Sequence, residues 1–452
     1  MKLILLGLVF LLSGGEAYGF CGFFVSKADT SLFNEASKVV LVRDEDKTVI
    51  TMANDFKGEA KEFAMVIPVP EVLQKGQIHV AENALIDHLD ASSSPRLVEY
   101  HDSDPCRMMM YREGIKMKKG VQSAVARGAG KKDYKVKIEA QYTVGEYDIL
   151  ILSAKESDGL ARWLIDNKYQ LPKGAKKVLG SYIKQGMKFF VAKVNLKAQS
   201  KLGFTYLRPL QMAYSSKKFM LPIRLGMLNS KGTQDLFVFA LTRKGRVETI
   251  NYRTVKIPSE MDIPSYLKEA GEFKKFYKDM YQTAWNREDQ KAVFVEYAWD
   301  MNWCDPCAAD PLSASELKNL GVFWTDAPKV NPLIPTPKRR RGGTQAQNVY
   351  LTRLHLRYDG EHFPDDLRFQ VTSNRKNYQG RYIIRHPFKG ALNCEAGKRY
   401  KSALEDRKQK VATNLAHLTG WKLEEIYQRM EMKRGPKDAT EKKDKWWKNI
   451  WN

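Results

Sequence analysis

The chain has 452 residues and a formal net charge of +23, with 75 Lys and Arg against 52 Asp and Glu. This length allows two or three hydrophobic cores. Beyond the first 19 residues, no stretch approaches the roughly 20 uncharged apolar residues that a membrane-spanning helix requires, which excludes a protein held in the bilayer by helices. A cytosolic protein this basic would suggest nucleic acid as its partner, whereas an exported one meets the polyanions of the envelope.

The first 19 residues predict export. Lys2 is followed by an apolar run from Leu3 to Leu12, which is typical of a secretory signal peptide and short for a retained membrane anchor. Small residues at the −3 and −1 positions place the expected cleavage after Gly19. We exclude a lipid-modified Cys21, because the large Phe20 precedes it.

Export decides between the partners that the charge allows. We expect a periplasmic or envelope protein that meets phospholipid headgroups, lipopolysaccharide or acidic wall polymers, and we expect no nucleic acid. The alternative is a solvated, lysine-rich surface without a partner. The sequence leaves the oligomeric state open.

Residues Lys38 to Val69 predict an antiparallel meander of three strands. The strands are Val39–Val42, Thr48–Ala53 and Phe63–Val69, and clusters of Asp, Glu and Gly separate them. Pro68 and Pro70 are expected to end the third strand, because proline cannot donate to a ladder.

The middle of the chain alternates strands and helices. We expect strands at Asp148–Leu152 and Met187–Leu196, with a helix capped by Ser157 or Asp158 between them. Leu236–Leu241 and Val247–Tyr252 predict a hairpin.

A long helix is predicted to begin at Pro264, because apolar residues recur at steps of three and four. The stripe consists of Tyr266, Ala270, Phe273, Tyr277, Met280 and Ala284. We interpret it as a core-packing face rather than a cofactor site.

The C-terminal part begins after a basic, proline-rich loop. The loop carries four successive cations, Lys338, Arg339, Arg340 and Arg341. Strands are predicted at Asn348–Tyr358 and Tyr378–Arg385, followed by helices that end at Gly420 and Gly435.

The charged tail ends with three tryptophans among lysines, Trp446, Trp447 and Trp451. That combination suits a membrane interface, and docking back on the fold is the equal alternative. The basic loop and these tryptophans are the candidate contacts to an anionic surface.

The predicted fold class is α+β, because strands and helices alternate with several hairpins. We expect a β-rich N-terminal part, a mixed C-terminal part and a helical C-terminus. The predicted divisions are a signal peptide (1–19), a β-rich domain (20–260), a long helix with a strand and cysteine segment (261–331), a loop or linker (332–347), strands and helices (348–435) and a tail (436–452).

Several stretches form a recognisable set: Ala53–Phe56, Ile67–Pro70, Val144–Asp148, Phe219–Gly226, Asn251–Thr254, Glu296–Asp310, Thr352–His355 and Gln379–Tyr382. Together they resemble an exported bacterial family catalogued as domain of unknown function 2330. The resemblance extends over nearly the whole mature chain, except roughly the last 20 residues. It implies export and one large structural unit, and it assigns no activity to any residue.

The chain has five cysteines, Cys21, Cys106, Cys304, Cys307 and Cys394. In an oxidising compartment we expect most of them to be paired, and an odd number leaves one free or intermolecular. Trp303-Cys304-Asp305-Pro306-Cys307 also resembles the active-site motif of thioredoxin-like proteins. That resemblance implies a nucleophilic Cys304 and a resolving Cys307.

The features that argue against redox catalysis include the charges and the helix signals around the motif. Glu296, Asp300 and Asp305 surround the motif, and nearby negative charge raises the pKa of a thiol, here to near or above the free value of about 8.5. Pro311 would break a helix that began at the motif, and Ser313 with Glu316 forms a capping box for a later helix.

We therefore expect a non-catalytic structural or binding protein, with a thiol–disulfide oxidoreductase as the alternative. No metal or cofactor is expected: His355, His362 and His386 lack the spacing of a helical zinc site and are assigned structural roles.

Overall fold

The computed structural model describes residues 23–26, 33–57, 63–106, 137–154, 157–195, 207–230, 232–303, 309–325 and 348–432. The chain forms two compact units, each assembled from three separate segments. The first unit consists of Met1–Ser94, Lys132–Lys256 and Gln290–Tyr378. The second consists of Pro95–Lys131, Ile257–Asp289 and Gln379–Asn452.

The described residues form twenty strands and seven α-helices, which makes the fold α+β, as predicted. The strands are β1 (Phe23–Ser26), β2 (Phe33–Asp44), β3 (Lys47–Lys57), β4 (Phe63–Val69), β5 (Ile78–Val80), β6 (Arg96–His101), β7 (Lys137–Val144), β8 (Tyr147–Ser153), β9 (Lys188–Val194), β10 (Leu210–Ser215), β11 (Met220–Leu221), β12 (Gln234–Thr242), β13 (Val247–Thr249), β14 (Arg253–Lys256), β15 (Met261–Asp262), β16 (Ala292–Asp300), β17 (Tyr350–Tyr358), β18 (Leu367–Val371), β19 (Tyr378–Gln379) and β20 (Arg381–His386).

The helices are α1 (Asn83–Ser93), α2 (Ser157–Asp166), α3 (Ala175–Lys184), α4 (Glu272–Arg287), α5 (Ala314–Asn319), α6 (Glu395–Thr419) and α7 (Leu423–Arg429). Short 3₁₀ helices lie at Lys75–Gln77, Gly226–Asn229 and Ser265–Lys268. The predicted capping box is present, with Ser313 as the N-cap of α5 and Glu316 as its reciprocal partner. Among the described residues, no helix is both long and apolar enough to cross a bilayer.

Two sheets form the centre of the first unit. An antiparallel sheet has the order β1-β4-β9-β8-β7. A larger mixed sheet follows the order β14-β16-β17-β12-β2-β3-β10-β5, with parallel pairs at β12–β2 and β14–β16. A small third sheet has the order β11-β18-β13.

The two large sheets share one apolar core, and helices cover their outer faces. Leu41 and Val238 of the larger sheet belong to the same buried cluster as Met65 and Phe190 of the five-stranded sheet. Helices α2 and α3 pack on the other side of the five-stranded sheet, and α1 and α5 pack on the other side of the larger one. Since side chains alternate along a strand, each strand contributes to two layers.

The predicted meander is wrong in its third strand. Strands β2 and β3 form an antiparallel pair, as expected. Strand β4 instead pairs with β1 and β9 in the other sheet. All seven residues of β4 are buried, so its apolar sequence fits either sheet, and the pairing depends on partners distant in the chain.

The predicted hairpin between Leu236–Leu241 and Val247–Tyr252 is also wrong. Both edges of β12 are occupied, one by β17 and the other by β2. Strand β13 therefore pairs with β18. Gly245 lies where an added Cβ would be 2.6 Å from the backbone oxygen of Asn374, so the turn requires glycine for this close approach.

The second unit has a parallel three-stranded sheet with the order β15-β20-β6. Tyr382 of the central strand β20 is fully buried. Its ring meets Phe276 of α4 edge-on at a centroid distance of 5.0 Å, and its hydroxyl donates to the carbonyl of Pro258 at 2.7 Å. The aromatic contacts of Tyr382 therefore join the sheet to α4.

Helix α4 begins later than predicted. Ser265–Lys268 is a separate 3₁₀ helix, and α4 starts after Gly271, which has a φ of +83°. That conformation suits glycine and interrupts the expected continuous helix. Ala270 is exposed, and the buried face of α4 consists of Phe276, Met280, Tyr281, Ala284 and Trp285.

A disulfide joins Cys106 to Cys394 within the second unit, across a sequence separation of 288 residues. Cys394 is the N-cap of α6, and its sulfur accepts a hydrogen bond from the backbone of Gly397 at 3.1 Å. The disulfide thus ties the end of the β6 segment to the start of the longest described helix.

We expect Tyr382→Ala to destabilise the second unit by about 3–5 kcal/mol, because it leaves a large cavity between β20 and α4. Tyr382→Phe is the matched control and should cost only about 0.5–1.5 kcal/mol, the usual value of one hydrogen bond. Urea unfolding of the two variants measures the difference. Equal and small losses would show that the unit does not depend on this contact.

Candidate functional site

A concave surface of the first unit is a cleft made of two adjoining pockets. One, here the proline pocket, has a volume of 230 Å³ and is lined in part by Pro68, Pro70 and Pro222. The other, the arginine pocket, has a volume of 520 Å³ and is lined in part by Arg224 and Arg368. The two pockets share Gln185, Lys217, Lys218 and Met220, and we call the whole the basic cleft.

The basic cleft lies at the edges of three sheets. Its residues follow β4, precede β9, connect β10 to β11 and lie along β18. The backbone of Phe369 donates to the carbonyl of Phe219 at 2.8 Å, and their rings lie 5.1 Å apart. Because regular strands hold each segment, the cleft is largely preformed.

Asp366 fixes the back of the cleft. One of its carboxylate oxygens accepts hydrogen bonds from the hydroxyl of Tyr182 at 2.6 Å and from the backbone of Ile223 at 3.0 Å and Arg224 at 3.2 Å. Burial raises the pKa of Asp366, although these hydrogen bonds act in the opposite direction. The carboxylate therefore holds the 222–224 segment against α3.

The cations at the mouth of the cleft are open to a ligand. Lys217 and Lys218 are exposed, and neither ammonium has a carboxylate partner within the described part of the chain. Arg368 approaches Asp365 only at 4.0 Å, and both side chains are more than half exposed. Exposed pairs of this kind contribute about 0–1 kcal/mol, so Arg368 can turn to an incoming anion at little cost.

Apolar side chains form part of the walls beside these cations. Met187, Pro222 and Phe219 are buried lining residues, and Ile250 is 57% exposed at the edge of the arginine pocket. Concave apolar walls with a few placed polar groups are the usual composition of a ligand site. The arrangement can therefore bind a ligand that combines an anionic group with an apolar part.

A second cluster of charged residues is largely buried on the α1 side of the larger sheet. Glu296 of β16 is 0% exposed, and its two oxygens lie 2.6 Å from Arg353 Nε and 2.6 Å from His355 Nδ1. The other imidazole nitrogen lies 3.3 Å from Asp235, which also pairs with Arg357 at 2.8 Å. We call Glu296, Arg353, His355, Asp235 and Arg357 the buried ion network.

The network also holds α1. Arg353 contacts the carboxylate of Asp90 and donates to the backbone carbonyl of that residue at 3.1 Å and to Ser94 Oγ at 3.0 Å. Lys38 of β2 pairs with the same carboxylate at 2.7 Å. A cation at the C-terminal turn of a helix is favourable, since carbonyls there lack helical partners.

The charges of the network set its protonation. Burial alone would lower the pKa of His355, but the charge of Glu296 and the hydrogen bond with Asp235 outweigh it and raise that pKa. Burial acts to raise the pKa of Asp235, but His355 and Arg357 lower it to about 2. The two carboxylates therefore favour the imidazolium form of His355, in which both ring nitrogens donate.

The three histidines singled out from the sequence have separate partners. His355 belongs to the buried ion network, His362 contacts Asp359 at 2.9 Å, and His386 contacts Glu99 at 2.7 Å. Among the described residues, no group of three or more His, Cys, Asp or Glu side chains is arranged to hold a metal ion.

Residues 304–307 of the cysteine motif lie outside the described residues, as does Cys21. The described residues before them correct part of the argument about the pKa of the Cys304 thiol. Glu296 is neutralised by Arg353 and His355, and Asp300 pairs with Arg375. Two of the three carboxylates expected to raise the pKa of Cys304 thus have cationic partners. The basic loop with Lys338–Arg341 and the tail with its three tryptophans also lie outside the described residues.

Sequence reasoning did not find the basic cleft. Its residues come from five separate parts of the chain, and their proximity depends on strand pairings that the sequence does not reveal. The local signal was the adjacent pair Lys217 and Lys218 directly after β10 and before Pro222. That pair resembles any solvated lysine pair until the strands are placed.

The pKa shifts predict how stability depends on pH. The pKa of His355 is raised in the folded chain, so its contribution is complete below about pH 6.5 and is lost as pH rises through the folded value. The contribution of Asp235 is present above about pH 3.9 and is lost as pH falls toward its folded pKa of about 2. Chemical unfolding across pH should show both declines.

His355→Gln should remove much of the alkaline decline, and His79→Gln, at an exposed histidine, is the matched control that should leave it intact. An alkaline decline that survives in His355→Gln would contradict this assignment.

The comparison with protein families places these features in context. A family model described as an uncharacterized protein conserved in bacteria, DUF2330, matches residues 16–370. The match contains every residue of the basic cleft and of the buried ion network. It ends earlier than the resemblance suggested, before β20 and helices α6 and α7. Neither a curated protein nor a solved structure matches the chain. The chain belongs to the DUF2330 family.

Proposed function

We propose that this chain is an exported protein of the bacterial envelope that binds an anionic ligand in the basic cleft and performs no chemistry on it. The observation that carries the proposal is the cleft itself. Exposed Lys217 and Lys218 stand at the junction of two preformed pockets whose walls are partly apolar.

Two independent features support export. Lys2 and the apolar run after it have the pattern of a signal peptide. The Cys106–Cys394 disulfide suits an oxidising compartment, because disulfides are rare in the reducing cytosol. Together they favour the periplasm or the cell envelope.

The net charge of +23 supports an anionic ligand. Summed positive charge raises the local concentration of anions and speeds their association. In this proposal the basic loop at Lys338–Arg341 and the tail with Trp446, Trp447 and Trp451 add attraction to an anionic envelope surface, while the basic cleft selects the ligand.

Thiol–disulfide exchange at Cys304 and Cys307 is the second candidate. One observation favours it: Glu296 and Asp300 have cationic partners, which removes part of the charge that would oppose a thiolate. Trp303, which precedes the motif, is 50% exposed. Rapid alkylation of reduced Cys304 at neutral pH would favour this function over pure binding.

Export predicts a defined N-terminus. Sequencing the protein recovered from the envelope fraction should give Phe20-Cys21-Gly22 as its first residues, because cleavage is expected after Gly19. Recovery from the cytosol with Met1 retained would contradict the proposal.

The cleft predicts a saturable site for an apolar anion. We expect the mature chain to bind anilinonaphthalene sulfonate at one site, with affinity reduced about tenfold or more by Lys217→Glu combined with Lys218→Glu. The matched control is Lys173→Glu with Lys177→Glu, an equal charge change at exposed lysines near and on α3. Fluorescence titration measures both.

Equal weakening in the two double variants would show only long-range attraction, and unchanged binding in both would place the dye elsewhere. Either result would overturn the basic cleft as the ligand site.

A further inference from the structure

The two pockets of the basic cleft differ in size in a way that bears on the ligand. Whole small-molecule sites occupy roughly 300–1,000 Å³. The arginine pocket, at 520 Å³, is within that range, whereas the proline pocket, at 230 Å³, is below it. The proline pocket therefore suits one extension of a ligand whose remainder lies in the arginine pocket.

The wall of the proline pocket suits an apolar extension. Pro68, Pro70 and Pro222 have no backbone N–H, so a hydrocarbon chain beside them leaves no backbone donor of these residues unsatisfied. Met187 and Met220 extend the apolar part of the wall, and unbranched methionine side chains adapt to an irregular or flexible chain.

The cations are placed where that extension would join its headgroup. Lys217 and Lys218 line both pockets, and a lysine ammonium is a point charge that accepts carboxylate or phosphate without a fixed geometry. Arg224 and Arg368 line only the arginine pocket. An anionic group at the lysines would thus lie between an apolar chain on one side and a polar headgroup region on the other.

We infer that the ligand of the basic cleft is a single-chain anionic amphiphile, with its hydrocarbon chain in the proline pocket and its anionic group at Lys217 and Lys218. The inference rests on the binding role proposed above. An anionic polymer has no chain to fill the proline pocket, and a lipid with two chains has one more than that pocket admits.

The test is a chain-length series with the mature protein. Straight-chain carboxylates and alkyl phosphates of about six to about fourteen carbons compete with bound anilinonaphthalene sulfonate. Affinity should rise about fourfold per added methylene until the chain fills the pocket, and then level off. Alcohols of the same lengths test the anionic group and should bind at least about tenfold more weakly. Comparing the two acid series distinguishes carboxylate from phosphate as the headgroup.

Met220→Trp tests the pocket directly, because it places a larger side chain at the junction of the two pockets. We expect the dependence on chain length to be lost while short anions still bind. Met220→Leu, which nearly conserves volume, should restore the dependence. If Met220→Trp does not fold, the length series on the natural chain decides alone.

The failures of the two proposals are distinguishable. Anions that bind with no dependence on chain length would overturn the amphiphile and leave the anionic cleft standing. A length dependence unaffected by Lys217→Glu with Lys218→Glu would place the chains at another apolar site and overturn the inference. Absence of any anion binding would overturn both proposals.

Discussion

The buried carboxylate of Glu296 is the constraint on which much of the first unit depends. A fully buried charge costs several kcal/mol unless partners compensate it, and here Arg353 and His355 each lie 2.6 Å from one of its oxygens. Those partners come from β17, and His355 leads on to Asp235 of β12. Removing Glu296 would leave both cations partly unpaired in the interior, at a cost of about 3–5 kcal/mol. The observed register of these strands places each of these charges beside a partner, and we infer that the network helps to fix the pairing of the strands.

The other face of the same strands explains how the fold supports a ligand site. Leu354 and Val238 alternate with the charged residues and enter the core shared by the two sheets. That core holds β4 against β9 and β3 against β10, and the cleft-forming segments begin at the ends of these strands. Asp366 then joins the 222–224 segment to α3. The cleft is thus rigid at its back and charged at its mouth, a combination that favours binding with little reorganisation.

Local patterns were sufficient to predict many elements. The run at Val39–Val42 lies in β2, and the predicted strand Asn348–Tyr358 contains β17 and begins two residues before it, because β-branched and aromatic residues fit a buried pleated surface. Gly420 ends α6 in a left-handed conformation, as a C-terminal glycine does. The pairings of β4 and β13 were wrong because they depend on contacts between distant residues. For the same reason the sequence revealed neither the Cys106–Cys394 pairing nor the assembly of each unit from three separate chain segments.

The central claim is that the basic cleft carries an anionic amphiphile in the envelope. Native mass spectrometry of the mature chain, released from its own envelope fraction without denaturant, tests it most directly. The account predicts a bound species of lipid-like mass that is released as an anion and is absent from the chain carrying Lys217→Glu and Lys218→Glu. It should persist in the control chain carrying Lys173→Glu and Lys177→Glu. The claim would be contradicted if the natural chain carried no bound species. It would also be contradicted if both double variants retained the bound species.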